Sequence, residues 1–424
     1  LAVWLATTVA AHASDPDSMA GMAGMKMNAP GEAAMAREAS GTAWQPDSTP
    51  MHAYHAMVDD WMVMTHFNVF LNYDKQWSRR GDDQFDAINW FMLMGTHPLG
   101  GGELMLRTML SLEPATATAH GYPLLFQSGE AFHGKSLVDR QHPHDFFMEL
   151  AARYRQPLGE KASVFLYLAP SGEPALGPPA FMHRASAAEN PAAPITHHWL
   201  DSTHISFGVA TLGVSYDKLQ VEGSAFNGRE PDEDRWNIDT IHLDSYAGRV
   251  SFNPSERWSM QASHGYLQSP EELHPEESVR RTTASASYNL PLRDQGNWAT
   301  TLAWGLNDEA GIRSNAVLLE TNLNLADRNS IFGRIEYVQK TGEELLVAPE
   351  RKKFDLTEVT VGASHELTPG RPYSVALGAS LIYTFKPSSL DGFYGDHPLG
   401  LWVFFRIRPG TMDHGAMAMG EPGK

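Results

Sequence analysis

The chain has 424 residues, 50 acidic against 32 basic, a formal net charge of −18 at pH 7 and no cysteine. That charge argues against nucleic acid as a partner, and the lack of cysteine rules out a disulfide-built scaffold while fitting an exported protein. No run of about eighteen apolar residues occurs, which argues against a helical membrane protein.

Leu1 to Ala10 is an apolar run, and Ala11-His12-Ala13 has the form of an A-x-A cleavage site. Together they look like the end of a signal peptide without its basic n-region, so the mature chain is expected to begin at Ser14, in the periplasm. Residues 14–59 are rich in Ala, Gly, Met, Ser and Pro with no lasting period, which predicts a flexible periplasmic segment.

From residue 60 the pattern changes to stretches that alternate apolar and polar. In 313–325, Val317, Leu319, Thr321, Leu323 and Leu325 fall on one face and Glu320, Asn322 and Asn324 on the other. In 372–384, Tyr373, Val375, Leu377, Ala379, Leu381 and Tyr383 oppose Ser374, Gly378, Ser380 and Thr384. A period of two is strand geometry. It predicts strands at 60–75, 84–95, 101–112, 146–155, 161–168, 203–215, 217–227 and 242–253. It continues through 256–267, 279–290, 297–307, 313–325, 328–339, 353–366, 372–384 and 398–408. The total is about sixteen, an even number as bacterial single-chain barrels require.

The links sort by length. Short ones fall around 96–100, 156–160, 216, 253–256, 291–296, 326–328 and 367–370. Those between them are mostly longer: 76–83, 113–145, 169–202, 228–241, 268–278, 308–312, 340–352 and 385–397. Aromatic residues sit near strand ends, as at Trp61 and Tyr73, Trp258 and Tyr266, Trp298 and Trp304, Tyr373 and Tyr383. Strands long enough to span lipid, loops sorted by face and two aromatic girdles predict an all-β fold, a transmembrane antiparallel up-and-down β-barrel over 60–408.

On this pattern the chain resembles Gram-negative outer-membrane β-barrels of the porin kind, which implies residence in outer-membrane lipid. The last strand, Leu401-Trp402-Val403-Phe404-Phe405-Arg406-Ile407-Arg408, looks like the closing strand of that class. Such proteins usually stop at a terminal aromatic, whereas this chain adds a tail, 409–424.

Three sets of residues carry chemistry. Alternation places Arg107, Arg153, Arg249, Arg281, Arg334 and Arg406 on the lumen face, with Glu149, Glu222, Glu320, Glu336 and Glu358. Such charges imply a watery lumen with a transverse field, or a plugged lumen braced by ion pairs. The long links hold His142, His144, His197 and His198 in Gln141-His142-Pro143-His144-Asp145 and Thr196-His197-His198. Imidazole with carboxylate suits Cu(II), Zn and Ni, although packing of polar loops explains the same residues.

The third set is methionine at both ends. Met19, Met22, Met25 and Met27 precede His52 and His55, and the tail carries Met412, His414, Met417 and Met419. Thioethers are soft ligands that suit Cu(I). These segments resemble those of periplasmic and outer-membrane copper and silver resistance proteins. The resemblance implies copper or silver ions as ligands and periplasmic metal-binding proteins as partners.

Catalysis has little support. Ser202, His204 and Ser206 share a face near Asp201, but no G-x-S-x-G element is present. The sequence therefore predicts a non-enzymatic barrel linked to copper or silver homeostasis. A general small-solute porin and a structural or adhesion barrel with an acidic loop at 227–234 are the alternatives.

Overall fold

The computed structural model describes residues 37–326 and 328–410. The wall is built from β2 (Trp61–Trp77), β3 (Asp83–Leu99), β4 (Gly102–Leu110), β9 (Phe147–Pro157), β10 (Ala162–Gly172), β11 (Ser206–Tyr216), β12 (Leu219–Phe226) and β13 (Ser245–Ser255). It continues with β14 (Trp258–Gln268), β15 (Ser278–Pro291), β16 (Asn297–Glu309), β17 (Ile312–Leu325), β18 (Asn329–Thr341), β19 (Lys353–Glu366), β20 (Tyr373–Phe385) and β21 (Leu399–Pro409). Each pairs antiparallel with the next. β21 returns to β2 from Val69↔Ile407 to Trp77↔Leu399, closing a sixteen-strand antiparallel barrel. Closure leaves no strand edge in hydrocarbon, where an unpaired backbone group costs several kcal/mol.

The two faces separate as the alternation predicts. Outward positions carry Leu212, Val221, Leu302, Ile335, Val361 and Leu381, all exposed. Inward positions carry buried Thr, Ser, Asn, Arg and Glu. Aromatic pairs mark both rims. Trp258 and Tyr288 meet near the short-turn end, with ring centroids 4.8 Å apart. Tyr73 and Phe85 meet at the other end, 4.6 Å apart. Both chain ends of the barrel lie at the face of the short turns, the periplasmic face of this architecture. Two links on the long-loop face are as short as turns on the other: 78–82 between β2 and β3, and 310–311 between β16 and β17. In the second, Ala310 and Gly311, with φ 47° and 77°, make a tight turn.

Three segments fill the barrel instead of leaving it open. The link 111–146 carries short strands β5 (Tyr122–Pro123), β6 (Glu130–Phe132), β7 (Lys135–Leu137) and β8 (Arg140–Gln141), paired β5 with β8 and β6 with β7. The link 173–205 is buried over most of its length and carries a helical turn at His197–Leu200. At Gly305 a Cβ would lie 2.3 Å from the Trp199 backbone oxygen, so only glycine on β16 lets that turn lie against the wall.

The third segment corrects an expectation. Residues 37–58 are not a loose periplasmic linker. Ala43 and Trp44 are buried, Asn253 Nδ2 donates to the Gln45 carbonyl, and Asn289 Nδ2 donates to the Ser48 carbonyl. β1 (Ala53–Val58) then pairs with Trp61–His66 of β2, just below the stretch of β2 that β21 takes. The rest of the expected segment, the signal remnant and the tail beyond Gly410 lie outside the described residues.

Val361 lies near the middle of β19 on the lipid face. Val361→Arg should lower folding stability by about 2–4 kcal/mol, read by denaturant titration into lipid vesicles.

Candidate functional site

The eleven charged wall residues expected in the lumen are all buried, and the structure spends them on holding the filling segments. Arg107 grips Glu149 with two nitrogens, at 2.7 and 2.8 Å, and donates to the Gly41 carbonyl at 2.6 Å. Arg249 Nε meets Glu222 Oε1 at 2.8 Å, while Thr42 Oγ1 donates to Glu222 Oε2. Arg153 pairs with Glu38 at 2.6 Å. Glu320 accepts from Arg184 of the inward link and lies 3.4 Å from Arg334. Glu336 accepts from the backbone and hydroxyl of Thr196. Arg406 pairs with Glu189, Arg281 donates to Ser202 Oγ, and Glu358 accepts from Thr384. Nine of the eleven stand in ion pairs, while Arg281 and Glu358 are held by hydrogen bonds.

The four predicted loop histidines converge with His204, in two groups. His142 Nε2 lies 2.9 Å from Glu130 Oε1, and Glu130, His142 and His198 bring one ligand atom each to within 4.8 Å of one another. The His142 Nδ1 donates to the Pro143 carbonyl, leaving the Nε2 lone pair facing the Glu130 carboxylate. A proton or a metal cation satisfies that pairing. His198 Nδ1 lies 3.4 Å from Glu230, while its Nε2 is buried without a hydrogen-bond partner. Burial pushes the His198 imidazole down to about 3, so it is neutral and able to act as a ligand. Burial also opposes ionisation of Glu130, but His142 and Arg235 outweigh it and hold the carboxyl below its usual range. Gly129, at φ 110°, permits this packing, since a Cβ there would meet His198 Nδ1 at 2.6 Å.

The second group is His144, His197 and His204. Their Nδ1 atoms are held by Glu113 Oε1 at 2.8 Å, Asp201 Oδ1 at 2.8 Å and the Asp201 carbonyl at 2.9 Å. Such second-shell acceptors fix ring orientation and tautomer and turn Nε2 towards a ligand. His144 and His204 have unpartnered, buried Nε2 atoms, and ring centroids 5.4 Å apart.

Outside the first group lies a cavity of about 100 Å³ on the long-loop side. Glu230, Glu271, Glu277, Glu309, Glu343 and Glu344 line it, with Arg281 and Arg351 as its arginines. Burial, then Glu130, pushes Glu230 up to about 7. Burial, then Glu309 and Glu230, raises Glu271. Carboxylates that oppose one another's ionisation are a place where a cation lowers the energy.

Glu130 escaped the sequence reading because nothing in its loop marks it until the loop folds inward, and Glu230 was read only as part of the acidic loop 227–234. A second omission had a signal. Met105 and Met109 share the parity of Arg107, so the lumen face of β4 was legible as methionine. His52 and His55 belong to the wall region, His52 beside a lumen cavity and His55 on β1 opposite Met64. The terminal Met19, Met22, Met25, Met27, Met412, His414, Met417 and Met419 lie outside the described residues. The residues weighed for catalysis serve structure: Ser206 Oγ donates to the Thr203 carbonyl, and Ser202 Oγ accepts from Arg281.

No protein-family model matches the sequence, and no curated protein matches it. Solved structures do. An anion-selective porin from Comamonas acidovorans is similar at TM-score 0.51 and 12% identity, over 82% of this chain and 99% of that one. OmpT of Vibrio cholerae matches at TM-score 0.47 and 8% identity, over 84% and 99%. OmpF of Salmonella typhi matches at 0.47 and 9%, over 83% and 99%. At 12% identity the likeness to the Comamonas acidovorans structure shows the fold alone, a closed antiparallel β-barrel.

Removing one partner of a buried pair strands the other. Glu149→Ala should cost about 3–5 kcal/mol of stability, measured by denaturant titration, because Arg107 loses its only carboxylate.

Proposed function

We propose that this chain is a Gram-negative outer-membrane barrel for small-solute passage, and that the solutes are small cations. The acidic cavity carries this reading: eight glutamates line it, Glu130 and Glu272 with the six named above, and Glu130 also belongs to the group with His142 and His198. A cleft of one charge sign concentrates counter-ions and steers them inward. The filled lumen, with its buried ion pairs, supports a narrow path rather than an open channel.

In planar bilayers under a KCl gradient, the full chain should conduct less than an open porin of sixteen strands, with a reversal potential of cation selectivity. Glu230→Gln combined with Glu271→Gln should move that potential towards zero. Anion selectivity, or no conductance at all, would sink the proposal.

Copper or silver homeostasis is the narrower reading, favoured by the Glu130–His142–His198 group. In it the Met/His termini capture metal in the periplasm and exchange it with periplasmic metal-binding proteins. Removing residues 1–36 and 411–424, which leaves the docked segment from Arg37 intact, should lower the number of Cu(I) ions bound while the barrel still folds. An unchanged Cu(I) titration would count against the termini.

A further inference from the structure

Near the periplasmic end of the lumen lies a cavity of about 110 Å³, separate from the histidine groups above. Met51, Met64, Met92, Met94 and Met182 line it. So do the imidazoles of His66 and His183. Strand pairing builds this wall: Met64 faces Met94 and His66 faces Met92 across β2 and β3. Loop 173–205 closes it with Met182 and His183.

The choice of residue is not explained by filling space. Lumen faces of such barrels are polar as a rule. On the same strands leucine is sent outward, with Leu93 and Leu106 exposed to lipid beside inward Met92, Met94 and Met105. The other lumen clusters are packed chiefly with Leu, Phe, Val and Ala. Met57, Met62 and Met260 are the only described methionines outside the chamber and the cluster continuous with it. Leucine fills comparable volume at small cost, so packing alone does not call for thioethers here. Their distinguishing property is softness as ligands.

Two imidazoles on the chamber wall, those of His52 and His183, have a buried ring nitrogen without a hydrogen-bond partner. In His183 that nitrogen is Nε2. The His66 and His183 rings lie 6.4 Å apart, each with its centroid 4.6 Å from that of Trp90. The arginines on the cavity wall each have a carboxylate partner: Arg107 has Glu149, Arg184 has Asp201 and Glu320, and Arg408 shares Glu189 with Arg406, which also pairs with Glu366. Neutral soft ligands in a largely apolar chamber suit an ion of single charge, because the cost of burying charge rises steeply with its size.

We propose that this chamber binds one soft monovalent metal ion, Cu(I) or Ag(I), through thioethers among Met64, Met92, Met94 and Met182 and the Nε2 of His183. The inference rests on the cation-passing reading and names the ion class of one site along that path. It is independent of the terminal methionines, although Glu38 and Ala39, also on the chamber wall, continue directly from that methionine-rich sequence.

The test uses the full chain in detergent micelles with 13C-labelled methionine methyls. Adding Ag(I), or Cu(I) under reducing conditions, should shift the resonances that disappear in Met92→Leu/Met94→Leu, with one ion bound there beyond any the termini hold. That variant should bind one ion fewer than the parent. Competition between the two ions ranks them as cargo. Should the double variant fail to fold, Met182→Leu in the inward link provides the same assignment and the same expected loss of affinity, about tenfold or more. Chamber resonances that stay still under excess of both ions, or an unchanged stoichiometry in the folded double variant, would overturn the proposal. Its failure leaves the bilayer selectivity intact as a separate result, and loss of selectivity leaves the methyl shifts to be judged alone.

Discussion

A wall that faces hydrocarbon can leave no backbone group unpaired and can carry no charge outward. Closure of β21 onto β2 meets the first demand, and turning the arginines and glutamates of the mid-wall inward meets the second, with outward Arg280 and Arg313 kept to the long-loop rim. The rest of the molecule follows from that second demand. Charges driven into a narrow lumen need partners there, because a buried, unpaired ion is costly. The partners come from chain that folds in from both ends: Gly41 and Thr42 from one side, Arg184, Glu189 and Thr196 from the other.

The filling in turn positions the chemistry. Because Asp201 is tied to Arg184, it holds the rings of His197 and His204. Because the helical turn at His197–Leu200 sits against Gly305, His198 is delivered to Glu130 and His142. The same inward link brings Met182 and His183 over the methionine wall of β2 and β3. Side chains of one link, 173–205, line both the acidic cavity and the periplasmic chamber. The register of that link is set by ion pairs to β17 and β21 and by hydrogen bonds from Thr196 to Glu336 of β18.

The sixteen wall strands were legible because one side of each meets lipid and the other does not, and that difference prints a period of two on the sequence. The lumen charges were legible by the same parity. Loop sorting was legible because short turns and long links alternate with the faces of a barrel. The docked segment 37–58 was not, since Gly41, Ala43 and Pro46 carry no period and gain their structure from the wall they touch.

The candidate site was legible in part: His142, His144, His197 and His198 stood out as pairs, and the structure does bring them together. Glu130 did not stand out, being a single residue in a long link. The sequence by itself determined the barrel, which way each strand faces and the charge of its lumen, because these depend on local alternation against a fixed solvent boundary. Only the tertiary structure decided that the lumen is filled, which carboxylate meets which histidine, and that methionines from β2, β3 and a distant link share one chamber. Those contacts join residues far apart in the chain, and the forces that set them exist only once the barrel has closed around them.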